Sequence, residues 1–491
     1  MTALCGETYA VIDPSTERVL ANIAAGTRVD ALRAVAAARE AHTSGVWADR
    51  APEERAEVLR ELGALVATRA AADDWAHLES ANSGATLRRT TFIDVPFAAG
   101  CFGAVADLAE RVPWTQQLPV LPASPTACNT VERVPVGVVA GIVPFNAPLL
   151  MAVWKIAPAL LAGCSVVLKP SPLTPLTALA LAEVVHGSRL LPPGVLNVVT
   201  GPSADLGAAL ASSPDVDKVS FTGSTVTGRA IAAAAAPRFA SLTLELGGKS
   251  AGVVCADADL DLAVDGAVFG AFHGAGQVCV AGTRLFVHAD VYDEVAARLV
   301  ARASHLRVGP ATDLATQVGP LASSTQRDRV LGFLARARAA GLRPACGGST
   351  LDPTGDGRGF YVAPTVFLDA PDDVEVMREE VFGPVLAVTR WCDDDELVRR
   401  ANASGYGLAA GVWSQDVASA AALGRRLRAG TVWINDWHLL RMDAPFGGVG
   451  DSGVGREFGV DGILAHTTSR HVHTESSTGR AGHPLFDVVL G

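Results

Sequence analysis

The chain has 491 residues, 49% of them hydrophobic and 19% charged, a globular composition with room for roughly two to four domains. Its formal net charge of −11 excludes bulk neutralisation of a polyanion, so no nucleic-acid partner is expected. The eight cysteines stand singly, without Cys/His metal spacing, which fits a reducing compartment and predicts no metal site.

The N-terminal residues lack a basic segment leading into a continuous apolar run, so no secretory signal is expected and the reading is a cytoplasmic protein. Early helices are predicted over 29–40 and 52–69. The stretch 149–168 is nearly all apolar. Lys155, Pro158 and Gly163 interrupt it, however, and predict a buried helix running into a buried strand, not a membrane span.

Apolar runs over 137–143, 165–168, 195–199 and 218–221 read as buried parallel strands, with helices over 173–186 and 205–211 between them. A second series begins near Gly248. It has strands over 250–254 and 283–288, helices over 260–272, 291–303 and 324–340, and a last strand over 430–435. The fold class is therefore α/β in two parts, divided near Gly247.

Four motifs carry candidate chemistry. Pro144-Phe145-Asn146-Ala147-Pro148 follows a predicted strand, where ligands gather in α/β sheets. Asn146 offers an amide to a developing oxyanion there, or satisfies turn backbone. Val219-Ser220-Phe221-Thr222-Gly223-Ser224, continuing to Gly228, is a strand, a Gly/Ser turn and an Ala-rich helix whose first N–H groups suit a pyrophosphate. Its glycine spacing is not that of the usual dinucleotide fingerprint. Glu245, between Leu244 and Leu246 and followed by Gly247 and Gly248, is an apolar-site carboxylate suited to general base work, or a partner for Lys249. Gly276-Gln277-Val278-Cys279 sets a thiol in a Gly-bounded turn. Alone, such a cysteine is more often structural or incidental than catalytic.

In this order and spacing the four motifs resemble the aldehyde dehydrogenase superfamily, over about 9–473. Leu168-Lys169-Pro170-Ser171, Glu379-Glu380-Val381-Phe382-Gly383-Pro384 and Pro445-Phe446-Gly447-Gly448 support the resemblance. It implies a Rossmann-like cofactor domain (1–116 and 137–247), an α/β catalytic domain (248–444) and a small β oligomerisation module (117–136 and 459–491). The segment 445–458 would return near the active site. It also implies a homodimer or homotetramer acting on a small-molecule aldehyde.

By the same resemblance, Cys279 attacks the aldehyde and Asn146 with the Cys279 N–H holds the oxyanion. Glu245 activates water for thioester hydrolysis, and Lys155 and Glu457 match positions that handle the oxyanion or protons. Lys169 and Ser171 face the adenosine ribose, and Ser224, with Gly223 and Gly228, the pyrophosphate. Glu380 and Phe382 lie on the nicotinamide side, with Val143, Pro144, Phe145 and Gly247 also lining the cofactor. Glu245 favours hydrolysis over acyl transfer to coenzyme A.

Two departures bear on specificity. Pro172 stands where many NAD-preferring relatives carry a glutamate, so NAD is the expected cofactor with NADP not excluded. Phe145 and Ala147 replace the more usual Trp and Phe. With Trp154, Phe272, Val278, Leu440 and Phe446 as pocket walls, and the loop Trp437-His438-Leu439-Leu440 nearby, they predict a medium or bulky hydrophobic aldehyde, aromatic or terpenoid-like. The alternatives are a semialdehyde whose carboxylate is gripped by Arg441, a cofactor-free esterase, and a non-catalytic dinucleotide-binding relative; for Arg441 the commoner reading is a surface pair with Asp443 or exposure to solvent.

Overall fold

The structure is a computed structural model, describing residues 3–120, 126–480 and 483–490. Of the segments expected in the oligomerisation module, 121–125, 481–482 and 491 lie outside the described residues.

Two large sheets dominate. The six-stranded sheet runs, in spatial order, Gly453–Val454, Ser241–Glu245, Lys218–Thr222, Val138–Ile142, Ser165–Lys169 and Leu196–Val198. All are parallel except the edge strand Gly453–Val454. Val138–Ile142, Ser165–Lys169 and Lys218–Thr222 are buried at every residue, the reason they read as continuous runs and not as alternating patterns. From Val138–Ile142 the chain steps outward on one side, then returns to build Lys218–Thr222 and Ser241–Glu245 on the other. The order reverses there, and the crevice beyond the strand ends at such a reversal is where open α/β sheets bind ligands.

The seven-stranded sheet runs Pro344–Cys346, Thr365–Phe367, Val385–Trp391, Arg284–His288, Ala251–Val254, Ala409–Trp413 and Thr431–Ile434. Only its first pair is antiparallel. The chain leaves one sheet after Glu245 and enters the other at Ala251, close to the predicted division. A third sheet pairs Thr467–Glu475 with Ala127–Pro135 over nine residues in antiparallel register, with Thr115–Gln117 on the far side.

The apolar stretch 149–168 resolves into the fully buried helix Pro148–Leu161 and the strand Ser165–Lys169. Among the described residues one helical run, Leu87–Arg111, is long and apolar enough to cross a bilayer by length and composition. It packs against helices Pro52–Ala72 and Pro148–Leu161, as a core helix does. Its first turns widen into a π-helical turn at Thr90–Asp94. Pro96 has no N–H to offer the carbonyl one turn back, which breaks the regular helical ladder just beyond that turn.

Candidate active site

Several predicted residues lie at or just beyond the strand ends of the six-stranded sheet. After Val138–Ile142, buried Val143 donates its N–H to the Lys169 carbonyl at 3.1 Å. The chain then turns through half-buried Pro144, Phe145 and Asn146, and Pro148 opens the next helix with its φ already suited to it.

Lys169 and Ser171 are both buried. Lys169 Nζ donates to the Pro170 carbonyl at 3.2 Å, and burial lowers its pKa to about 8. Ser171 Oγ accepts from the Leu173 N–H at 3.3 Å. Ser224 caps the helix Thr225–Ala235, its Oγ accepting from the Thr227 N–H at 3.3 Å. A Cβ at Gly228 would stand 2.5 Å from Leu246 Cδ2, so glycine lets this helix lie close on the sheet. Gly223 N–H donates to the Glu245 carbonyl at 3.0 Å, tying two strand ends together.

Glu245 is buried, and among the described residues neither carboxylate oxygen has a hydrogen-bond partner. Burial holds its pKa well above the usual carboxylate range, and the nearby Glu457 adds to the effect. The alternative pairing with Lys249 does not form: Lys249 Nζ is buried without a partner, and burial takes it down to about 7. Glu457 is held by Lys155, whose ammonium donates to Oε1, and by Ser220 Oγ at 3.3 Å. Phe446 and Glu457 exchange backbone hydrogen bonds at 2.7 and 2.8 Å. Gly447, the next residue, lies against Glu245, since a Cβ there would be 2.6 Å from Oε1. The segment 445–458 thus returns to Glu245.

Cys279 follows helix Leu260–Phe272 through a turn with left-handed backbone at Gly274, Ala275 and Gly276. At Gly276 (φ +70°) a Cβ would meet the Gly383 carbonyl at 2.1 Å, so the loop bearing Phe382 seats directly on this turn. Gln277 Oε1 accepts from the Ala322 N–H at 3.0 Å and fixes the turn from another side. Half-buried Cys279 lies beside the Gly247–Gly248 turn, since a Cβ at Gly248 would stand 2.4 Å from its carbonyl oxygen. Burial, then the charges of Glu245 and Glu380, push its thiol up to about 12.

Glu380 accepts from the Gly248 N–H at 3.1 Å, and a side chain at Gly247 would overlap its carboxylate. Burial raises its pKa to about 7. Phe382 meets Phe145 edge to face, with ring centres 5.8 Å apart. A cleft of about 630 Å³ opens between Ser224, Thr225 and Val226 on one side and Arg329, Glu380 and Tyr406 on the other. The donor set fits a dinucleotide: a capped helix start with a close backbone, facing a carboxylate and an aromatic ring.

The expected pocket residues divide. Trp154 and Phe446 join Phe458 in an aromatic cluster, with centres 5.8 Å apart for Trp154–Phe446 and 4.2 Å for Trp154–Phe458. Ala147, Phe272 and Val278 are buried, and Leu440 is half-buried. Trp437, in the apolar loop noted beside these residues, is a core residue. Its ring stacks on Trp413 at 5.7 Å and fills space left by Gly270, Gly282 and Gly411, so it belongs to the core of the seven-stranded sheet. Arg441 takes the surface pairing: its guanidinium is bonded to Asp443 at 2.9 and 2.8 Å and is exposed. Sequence reasoning missed Phe458, Arg329, Tyr406 and, beside the Asn146 turn, Arg89, because none sits in a recognisable motif.

The family model described as "Aldehyde dehydrogenase family" matches residues 2–472. The mitochondrial aldehyde dehydrogenase of Leishmania tarentolae is 40% identical over 475 residues, 96% of this chain and 93% of that protein. A point mutant of the Staphylococcus aureus betaine aldehyde dehydrogenase, solved with NAD+ and a modified cysteine, superposes with a TM-score of 0.94 at 35% identity. It covers 98% of this chain and 97% of that one. The NAD+ complex of the Bacillus cereus aldehyde dehydrogenase has a TM-score of 0.93 at 38% identity, covering 97% and 95%. The chain belongs to the aldehyde dehydrogenase family, enzymes that oxidise aldehydes to carboxylic acids.

Proposed function

We propose that this chain oxidises a medium or bulky hydrophobic aldehyde, aromatic or terpenoid-like, to its acid by covalent catalysis on Cys279. The observation that carries the mechanism is Glu245: a buried carboxylate beside the nucleophile, with both oxygens unpartnered and a raised pKa. A raised pKa makes this carboxylate a stronger base than a solvated one.

Cys279 Sγ attacks the carbonyl carbon to give a thiohemiacetal, and Glu245 is the base within reach of its proton. The Asn146 side-chain amide and the Cys279 N–H hold the oxyanion. When bound, NAD(P)+ accepts the hydride from the substrate carbon, leaving a thioester on Cys279. Once the thiol proton has passed from Glu245 to solvent, Glu245 takes a proton from the water that attacks the thioester carbonyl. The C–S bond breaks with Cys279 leaving as thiolate, and the acid is released. Lys155 and Glu457 give that proton a buried polar neighbour.

NAD+ is the cofactor supported by the NAD+-bound relatives. Pro172 supplies neither an acceptor for the ribose hydroxyls nor a charge against a 2′-phosphate, so nothing at that position repels NADP+. Lys169 and Ser171 attend the adenosine ribose, Ser224 the pyrophosphate, and Glu380 with Phe382 the nicotinamide side. The six-stranded sheet forms the cofactor domain and the seven-stranded sheet the catalytic domain. The ribbon in which mostly exposed Thr467–Glu475 pairs with half-buried Ala127–Pro135 supports a homodimer or homotetramer. Eight free cysteines fit a cytoplasmic protein.

The substrate reading rests on the cluster of Trp154, Phe446 and Phe458 and on small Ala147 at the start of the helix that bears Trp154. Its test is kcat/KM for benzaldehyde-like and short aliphatic aldehydes. Preference for the aromatic compounds supports it, and preference for acetaldehyde overturns it.

A further inference from the structure

The turn bearing Asn146 is gripped by two buried charged side chains from the N-terminal helices. Arg89 donates from Nη2 to the Asn146 carbonyl at 3.0 Å and from Nε to Asp94 Oδ1 at 3.1 Å. Arg89 and Asp94 are both buried, at the two ends of the π-helical turn Thr90–Asp94. Three residues beyond Asn146, the Leu149 N–H donates to Glu79 Oε1 at 3.0 Å, and Thr177 Oγ1 donates to the other oxygen of the same carboxylate. The turn is therefore held by a cation on one carbonyl and an anion on one N–H.

The same guanidinium reaches the nucleophile's segment. At Gly274 (φ +59°), five residues before Cys279, a Cβ would stand 2.4 Å from Arg89 Nη1. One buried cation thus touches the segment bearing Asn146, from the six-stranded sheet, and the segment bearing Cys279, which leads into the seven-stranded sheet. A guanidinium does this where an ammonium does not, because its planar fork directs separate donors to Asp94 and Asn146 while a third edge packs on backbone.

We propose that Arg89 is a positioning residue that sets the Asn146 amide relative to Cys279, with Asp94 fixing its orientation. This rests on the assignment of Asn146 to the oxyanion. A donor displaced by about 1 Å, though still present, loses on the order of 10²-fold in rate, and the loss falls on the step where charge develops.

The test compares Arg89→Lys, Asn146→Ala and the double variant by kcat, aldehyde KM, dinucleotide Kd from fluorescence quenching, and Tm. Arg89→Lys keeps the charge beside Asp94 but loses the fork. It is expected to lower kcat by about 10- to 100-fold with KM and Kd within about twofold of wild type. In the Asn146→Ala background the same substitution is expected to have no further effect on kcat. Asp94→Asn, nearly isosteric, is expected to give a smaller loss in kcat alone. An equal fold loss from Arg89→Lys in both backgrounds, or wild-type kcat in the single variant, overturns the positioning role and leaves the oxyanion assignment standing. Full kcat in Asn146→Ala overturns the oxyanion assignment itself, and the positioning role with it.

Discussion

The ammonium of Lys155 is bonded to the carboxylate of Glu457, 302 residues away in sequence, and both side chains are buried. Lys155 lies on the buried helix Pro148–Leu161, and Glu457 on the segment that returns to Glu245. The pair joins this buried helix to the C-terminal part of the chain, close to Glu245.

Removing one partner leaves the other charge buried and uncompensated, which costs about 3–5 kcal/mol, whereas replacing both by apolar groups is nearly neutral. Lys155→Met is expected to lower Tm markedly at pH 7, and Lys155→Met/Glu457→Leu to recover most of the loss. A single variant as stable as wild type contradicts a compensated pair.

Burial is the main cause of the raised Glu245 pKa, and the Glu457 charge adds to it. Glu457→Gln removes that charge, so Glu245 deprotonates more readily. The acid limb of the kcat/KM–pH profile is expected to move to lower pH, and a shift to higher pH contradicts the coupling.

The Cys279 thiol is pushed up to about 12, first by burial and then by Glu245 and Glu380. Without cofactor, iodoacetamide labelling at Cys279 is expected to be slow at pH 7 and to climb roughly tenfold per pH unit, since only the thiolate reacts. The exposed Cys5, Cys128 and Cys392 serve as controls. Mass spectrometry reads each site, and a plateau at Cys279 by pH 8 contradicts the raised pKa.

The parallel strands were legible because burial on both faces demands unbroken apolar runs such as Val138–Ile142 and Lys218–Thr222. Cys279 and Glu245 were legible through the ordered motifs around them, since a lone cysteine or carboxylate carries little signal. The place of Trp437 was not legible, because an apolar loop residue looks the same whether it lines a pocket or fills gaps left by distant glycines. Arg441 had two readings, and the exposed pairing with Asp443 is the one found. Arg89 was invisible because its meaning lies in the Asn146 carbonyl and the Gly274 turn, 57 residues and more along the chain.

The most direct test of the covalent, hydrolytic mechanism is pre-steady-state NAD(P)H formation by Glu245→Gln with an aromatic aldehyde, beside Cys279→Ala. The account predicts a burst of about one equivalent per active site followed by turnover slowed on the order of 10²-fold or more, and no burst without the thiol. Steady turnover at the wild-type rate in Glu245→Gln, or a burst in Cys279→Ala, would contradict it.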